Sequence, residues 1–152
     1  TLDGDGQNDP ADIPSLLQVV RDPNRSGKLV MVGGHRKKRQ DSWLKKVSSR
    51  IANRIRGWLL KDDTPDTGCG LKVFQRDAFL ALPFFDHMHR FLAALFIRSG
   101  GEVQSVVVNH RPRTRGKSKY GLHNRLWVGI VDLFGVMWLQ RRGKVADVVE
   151  RD

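Results

Sequence analysis

At 152 residues the chain has the length of one domain with one modest hydrophobic core. Its formal net charge of +11 implies an anionic partner: nucleic acid, anionic lipid or a phosphorylated ligand. A single cysteine, Cys69, excludes an internal disulfide framework and a cysteine-built zinc site, and suits a reducing compartment.

The opening stretch, Thr1-Leu2-Asp3-Gly4-Asp5-Gly6-Gln7-Asn8-Asp9-Pro10, reads as the end of a strand running into a tight loop. Glycines at 4 and 6 let the backbone turn where side chains would clash, so Asp3 and Asp5 can converge on one point. Two hard oxygen ligands at this spacing suit Mg²⁺ or Mn²⁺, which need only one or two protein carboxylates when a substrate diphosphate supplies the rest. Two other readings stand beside this one. Asp3, Asp5, Gly6, Asp9 and Asp12 fall near EF-hand spacing, but that loop would begin on Thr1, end on Asp12 instead of Glu, and be interrupted by Pro10. A solvated acidic turn is the third. Beginning without Met on what looks like the end of a strand, the chain is expected to be the C-terminal part of a longer protein.

Next comes a helix predicted over 11–20, capped by Asp9 or Asp12, with Ile13, Leu16, Leu17 and Val20 on one face. A turn cluster at 22–27 leads into a buried strand over 28–32, closed by Gly33-Gly34. Strand, helix, strand is a βαβ signature, so a parallel sheet is expected. The basic run His35-Arg36-Lys37-Lys38-Arg39 follows at the strand's C-terminal end, where open α/β sheets bind ligands. Lys37 and Lys38 read better as solvated. Over 43–60 the spacing is helical, with Trp43, Val47, Ile51, Ile55, Trp58 and Leu59 on one face and basic residues flanking it. Such a helix packs on the sheet or lies against acidic lipid.

The loop 62–70 is small and acidic, and a strand over 71–74 follows. Gly68 and Gly70 permit close backbone approach, and Asp66 is placed to accept from a hydroxyl or hold a basic side chain. Cys69 reads as a small packed residue, since no adjacent His pair would activate it. A helix over 76–82 stops at Pro83; another, through Ala93 and Ile97, is capped by Gly100-Gly101. His87 and His89, two apart, are poorly spaced for ligands on a helix, although His89 and Arg90 can face a pocket. A strand is predicted over 102–109.

The segment 110–121 holds no acid. Pro112 and Gly116 argue for an extended loop, and its arginine forks and Ser118 hydroxyl suit phosphate oxygens. The apolar tail over 122–139 falls short of the ~20 uninterrupted apolar residues of a membrane span. It fits an interfacial helix anchored by Trp127 and Trp138, or equally a core-packing helix. The tail over 143–152 is expected to fray.

Asp3-Gly4-Asp5-Gly6-Gln7, Gly34-His35-Arg36, Ser49-Arg50, Asp66-Thr67-Gly68-Cys69-Gly70-Leu71-Lys72, His89-Arg90-Phe91 and Arg115-Gly116-Lys117-Ser118-Lys119-Tyr120 occur in the order seen in family 2 glycosyltransferases. The chain most resembles their dolichol-phosphate mannosyltransferase-like branch, which includes bacterial polyprenyl-phosphate sugar transferases. The similarity runs from Leu2 to about Arg142. It implies an α/β fold that is the C-terminal portion of a GT-A domain, filling 1–121, with the N-terminal half and its nucleoside pocket missing and the 122–142 helix appended. By itself such a chain is expected to be inactive. The implied reaction is metal-assisted, inverting transfer of a sugar from a GDP- or UDP-linked donor to a polyprenyl phosphate. Asp3, Asp5 and Gln7 match the metal loop, and Arg36 and Arg50 match positions that hold the acceptor phosphate. Arg115, Ser118 and Lys119 match a mobile phosphate-covering loop. Asp66, Gly68, His89 and Arg90 fall in motifs expected to line the substrate site. The implied location is the cytoplasmic face of an anionic membrane, held peripherally, with no nucleic-acid partner.

Two rivals make different forecasts. A basic nucleic-acid-binding module would bind DNA with steep salt dependence and no metal requirement, but leaves Asp3 and Asp5 unexplained, since carboxylates repel a phosphate backbone. A structural membrane-surface protein would bind liposomes whatever stands at position 5.

Overall fold

The computed structural model describes residues 1–25, 30–37, 43–109, 111 and 122–142. In order they form helix α1 (Ile13–Val20), strand β1 (Val30–His35), helix α2 (Trp43–Leu60), strand β2 (Lys72–Phe74) and helix α3 (Arg76–Leu80). Helix α4 (Leu92–Arg98), strand β3 (Glu102–Val107) and helix α5 (Leu122–Arg142) complete the set. The three strands make one sheet in the order β2-β1-β3. Strand β1 runs parallel to β3, from Val30↔Glu102 to His35↔Val107, and antiparallel to β2, from Met31↔Phe74 to Gly33↔Lys72.

Side chains alternate across a strand, so β1 feeds two cores. Val30 and Val32 join Leu16, Cys69, Leu71 and Val108 under α1, with Ile13, Val19 and Val20 packed against them. Met31 faces the other way, into a larger cluster built from α4, the 82–91 segment and the inward side of α5. Burial on both faces explains why β1 reads as a continuous apolar run.

Several sequence expectations change. Residues 1–3 form no strand, and the parallel partner of β1 is β3, so the sheet is mixed. Gly33 and Gly34 lie inside β1 rather than closing it. At Gly34 the reason is steric: a Cβ there would meet Cys69 Sγ and Val108 Cγ2, each at 2.9 Å. Helix α3 ends at Leu80, short of Leu82.

The α2 boundaries are as predicted, but its stripe Ile51, Ile55 and Trp58 points to solvent, with Trp58 80% exposed. Arg56 and Leu60 turn inward instead. The cause is polar: Arg56 Nη2 donates to Thr64 O (3.1 Å) and lies 3.4 Å from the buried Asp62 carboxylate. Helix α5 packs against the core along one side and is exposed along the other. Val136 is fully buried, with Leu133 and Met137 against the core, while Trp127, Val131, Phe134 and Trp138 face out. None of the described helices is long and apolar enough to cross a membrane.

Candidate active site

The parallel strands β1 and β3 end side by side, and the chain leaves β3 toward the opening acidic loop. In that loop Asp5 Oδ1 accepts from the Gln7 N–H (3.1 Å), which closes a tight turn through Gly6. Beyond it, Asp9 Oδ1 accepts from Ala11 N (3.0 Å) and caps the short 3-10 turn Pro10–Asp12.

The exit from β3 is stitched onto this loop. Arg111 N donates to Gln7 O (3.0 Å), and Arg111 Nη2 pairs with Asp9 Oδ2 (2.6 Å). One step earlier, Asn109 gives its backbone N–H to Asp12 Oδ2 (2.7 Å) and its amide to Asp12 Oδ1 (3.2 Å). These bonds argue against the EF-hand reading, because the carboxylates of Asp9 and Asp12 are taken up by protein donors. They also mean that the basic segment after Asn109 starts at the acidic loop.

The exit from β1 carries Arg36. Its Nε and Nη2 fork onto Asp66 Oδ2 (2.7 Å) and Oδ1 (2.8 Å), and its backbone N–H reaches Oδ2 as well (3.3 Å). The side chains are 11% and 5% exposed, so this is a largely desolvated bidentate pair. Of the two roles open to Asp66, holding a basic side chain is the one observed. Gly68 borders the pair, with a Cβ position 3.4 Å from Arg36 Nη2. Arg36, matched to an acceptor-phosphate position, spends two nitrogens on a carboxylate. That fixes its guanidinium plane at the end of β1.

The loop carrying Asp66 is braced from α2. Asn53 donates to Pro65 O (3.2 Å) and accepts from Thr67 (3.4 Å), while Arg56 and Asp62 anchor its root. Asp62 also accepts from Thr64 N (2.9 Å). Arg50 is exposed on α2, one turn before Asn53. His89 and Arg90 lie in the 3-10 turn Met88–Arg90. Arg90 reaches toward α5, where a Cβ on Gly129 would lie 3.9 Å from Nη1. Partial burial, then the Arg90, Lys72 and His87 charges, lower His89 below the usual histidine range, and Asp3 opposes them. Arg115, Ser118 and Lys119 lie outside the described residues.

Lys72 was given no role of its own in the sequence, only a place in the predicted strand and at the end of the Asp66–Lys72 motif. It is buried, and its Nζ donates to Cys69 O. Burial lowers its ammonium below the usual lysine range, with Asp3 and Asp66 among the charges that oppose the shift. Burial also raises the Cys69 thiol, which fits a packed rather than nucleophilic residue. Arg56, Asp62, Asn109 and Arg111 were likewise unassigned. For Asn109 and Arg111 the available signal was position, since one closes a predicted strand and the other follows just after it.

Among the described residues no three His, Cys, Asp or Glu side chains gather as an all-protein metal cage. Asp3 and Asp5, with the neutral Gln7 amide, are a donor set of the size that Mg²⁺ or Mn²⁺ takes when phosphate oxygens complete its shell. The residues therefore fit such a cation.

Over 144 residues the chain is 34% identical to the dodecaprenyl-phosphate galacturonate synthase of Rhizobium johnstonii, covering 93% of this chain and 41% of that protein. The undecaprenyl-phosphate 4-deoxy-4-formamido-L-arabinose transferase of Aeromonas hydrophila is 34% identical over 125 residues, covering 80% of this chain and 36% of its own length. Its counterpart from Serratia proteamaculans is 33% identical over 122 residues, with the same coverage, 80% and 36%. The chain is a homologue of the polyprenyl-phosphate sugar transferases. It spans about two fifths of the length of these curated relatives. No family model and no solved structure matches it. The match to the Rhizobium protein covers 93% of this chain, so Arg36, Asp66 and nearly all of α5 belong to the shared region.

Proposed function

We propose that the chain is the metal- and acceptor-binding portion of a GT-A, family 2 glycosyltransferase that moves a sugar from a nucleotide-sugar to a polyprenyl phosphate. The observation that carries this reading is the seam between Gln7, Asp9 and Asp12 on one side and Asn109 and Arg111 on the other. It joins paired acids to the start of the most basic stretch of the chain, so a metal-bound diphosphate and a second phosphate have complementary charges within one site.

In this reading Asp3, Asp5 and Gln7 hold Mg²⁺ or Mn²⁺, which neutralises charge on the departing nucleoside diphosphate. Arg36, aimed by Asp66, and Arg50 hold the acceptor phosphate, with Arg115, Ser118 and Lys119 contributing phosphate contacts. A phosphate monoester has its second pKa near ~6 and is largely dianionic at neutral pH. Its oxygen attacks the anomeric carbon as the bond to the diphosphate breaks on the opposite face, so configuration inverts. The leaving diphosphate takes the electron pair, and no side-chain base is required. Rate enhancement then comes from positioning and charge stabilisation.

The test is transfer of labelled sugar from GDP- and UDP-linked donors to a short-chain polyprenyl phosphate by the full-length protein. Product is expected with Mn²⁺ or Mg²⁺, lost on EDTA treatment and restored by the cation. Turnover indifferent to EDTA would remove the metal from the reading. Metal-independent, steeply salt-sensitive DNA binding without transfer would favour the nucleic-acid module.

The exposed stripes of α2 and α5 complete the proposal as peripheral contacts with an anionic bilayer, on the side where a polyprenyl phosphate resides. Both stripes pair apolar residues with neighbouring cations, including Arg50 and Arg54 on α2 and Arg141 and Arg142 at the end of α5. Trp58→Ser and Trp138→Ser are each expected to weaken binding to phosphatidylglycerol-containing vesicles by about 10-fold in co-sedimentation. Unchanged binding in both variants would exclude these stripes as the contact.

A further inference from the structure

Residues 1–3 are not a strand, yet they are registered against β2. Thr1 N donates to Lys72 O (2.6 Å) and Lys72 N donates to Thr1 O (3.1 Å), the two-way exchange of an antiparallel pair. Thr1 Oγ1 adds a bond to Gly70 O (3.1 Å). With Thr1 opposite Lys72, the antiparallel count sets Asp3 opposite Gly70, and directly opposed residues share one face. The geometry agrees. A Cβ placed on Gly70 would fall on the Asp3 carboxylate, 2.5 Å from Oδ1 and closer still to Cγ and Oδ2. The acid therefore rests over the bare Cα of Gly70.

The two acids of the loop are thus held by different means. Asp5 is fixed within its own turn by the Gln7 N–H, whereas Asp3 is exposed and takes its place from a residue far away in the chain. We infer that Gly70 is a positioning residue for the divalent cation, acting through Asp3 by leaving room for its carboxylate. This rests on the metal-loop reading of Asp3 and Asp5. Any side chain at position 70 lifts Asp3 off its seat and turns one ligand away from the other, and the loss should be read in metal affinity before anything else.

The experiment is a double-mutant cycle on Mn²⁺ binding, followed by electron paramagnetic resonance of free Mn²⁺ in the full-length protein without donor or acceptor. Gly70→Ala is expected to raise the Mn²⁺ dissociation constant by about 10–100-fold, the range for losing a residue that orients a ligand. In an Asp3→Ala background the same change should have no further effect, because the group it displaces is gone. Wild-type affinity in Gly70→Ala would overturn the inference while leaving the metal loop standing. An equal loss in both backgrounds would overturn it too, since Gly70 would then act elsewhere. If the wild-type protein binds no Mn²⁺, the metal-loop reading falls and the inference with it. Should Gly70→Ala not fold, the Asp3→Ala/Gly70→Ala protein decides. Folding and melting like Asp3→Ala locates the clash at the carboxylate, and failure to fold refutes it.

Discussion

Asp5→Asn in the full-length protein is expected to reduce sugar transfer by about 10²–10³-fold while leaving the fold and vesicle binding unchanged. The substitution is chosen for what it preserves. Asparagine keeps an Oδ1 that can accept the Gln7 N–H now bonded at 3.1 Å, so the turn through Gly6 survives. What disappears is one negative charge and a strong hard-oxygen donor, in a set where only two carboxylates are on offer. Steady-state transfer, a thermal melt and co-sedimentation together make the check. Retained turnover in a folded Asp5→Asn protein would count decisively against the transferase reading. Loss of turnover with an equal loss of melting temperature would point to the turn rather than the charge.

Breaking the Arg36–Asp66 pair is the second change with a large expected effect. Asp66→Ala takes the bidentate carboxylate from a guanidinium that is 11% exposed, and removal of one member of such a buried pair costs about 3 kcal/mol. Arg36→Ala takes both guanidinium bonds from the Asp66 carboxylate, itself 5% exposed, at similar cost. The paired replacement Arg36→Met/Asp66→Leu removes both charges at once and should regain most of that stability, as measured by urea denaturation. It should not regain activity. If Arg36 meets the acceptor phosphate, the double variant remains impaired, with a raised KM for polyprenyl phosphate. Full activity in the stable double variant would reduce the pair to a structural brace.

How much was legible beforehand differs from feature to feature. The α2 boundaries, the glycine stop after α4 and the buried β1 were readable, because each rests on local periodicity or on glycine punctuation. The mixed sheet was not. Lys72-Val73-Phe74 is a strand from either direction, and nothing local says that it lies antiparallel to β1 while β3 lies parallel. The facing of α2 also escaped, because its most apolar stripe is the outward one. A buried ionic group, Arg56 with Asp62, decided the rotation of the helix. In the site, the acids, Arg36 and Asp66 stood out by type and spacing. Their partners did not: that Asp66 would be met by Arg36, or Asp12 by Asn109, depends on strands closing across the sheet.

That dependence has a consequence for how the site comes into being. The bond from Asn109 to Asp12 spans 97 positions and the pairing of Arg111 with Asp9 spans 102, so no contiguous peptide can rehearse either contact. Closing loops of that length is entropically slow, and here it waits on the docking of β3 beside β1. The seam should therefore be among the last features to consolidate during folding and among the first lost in partial unfolding. Hydrogen-exchange protection of the Arg111 and Gln7 amides would then follow that of β3, rather than that of α2.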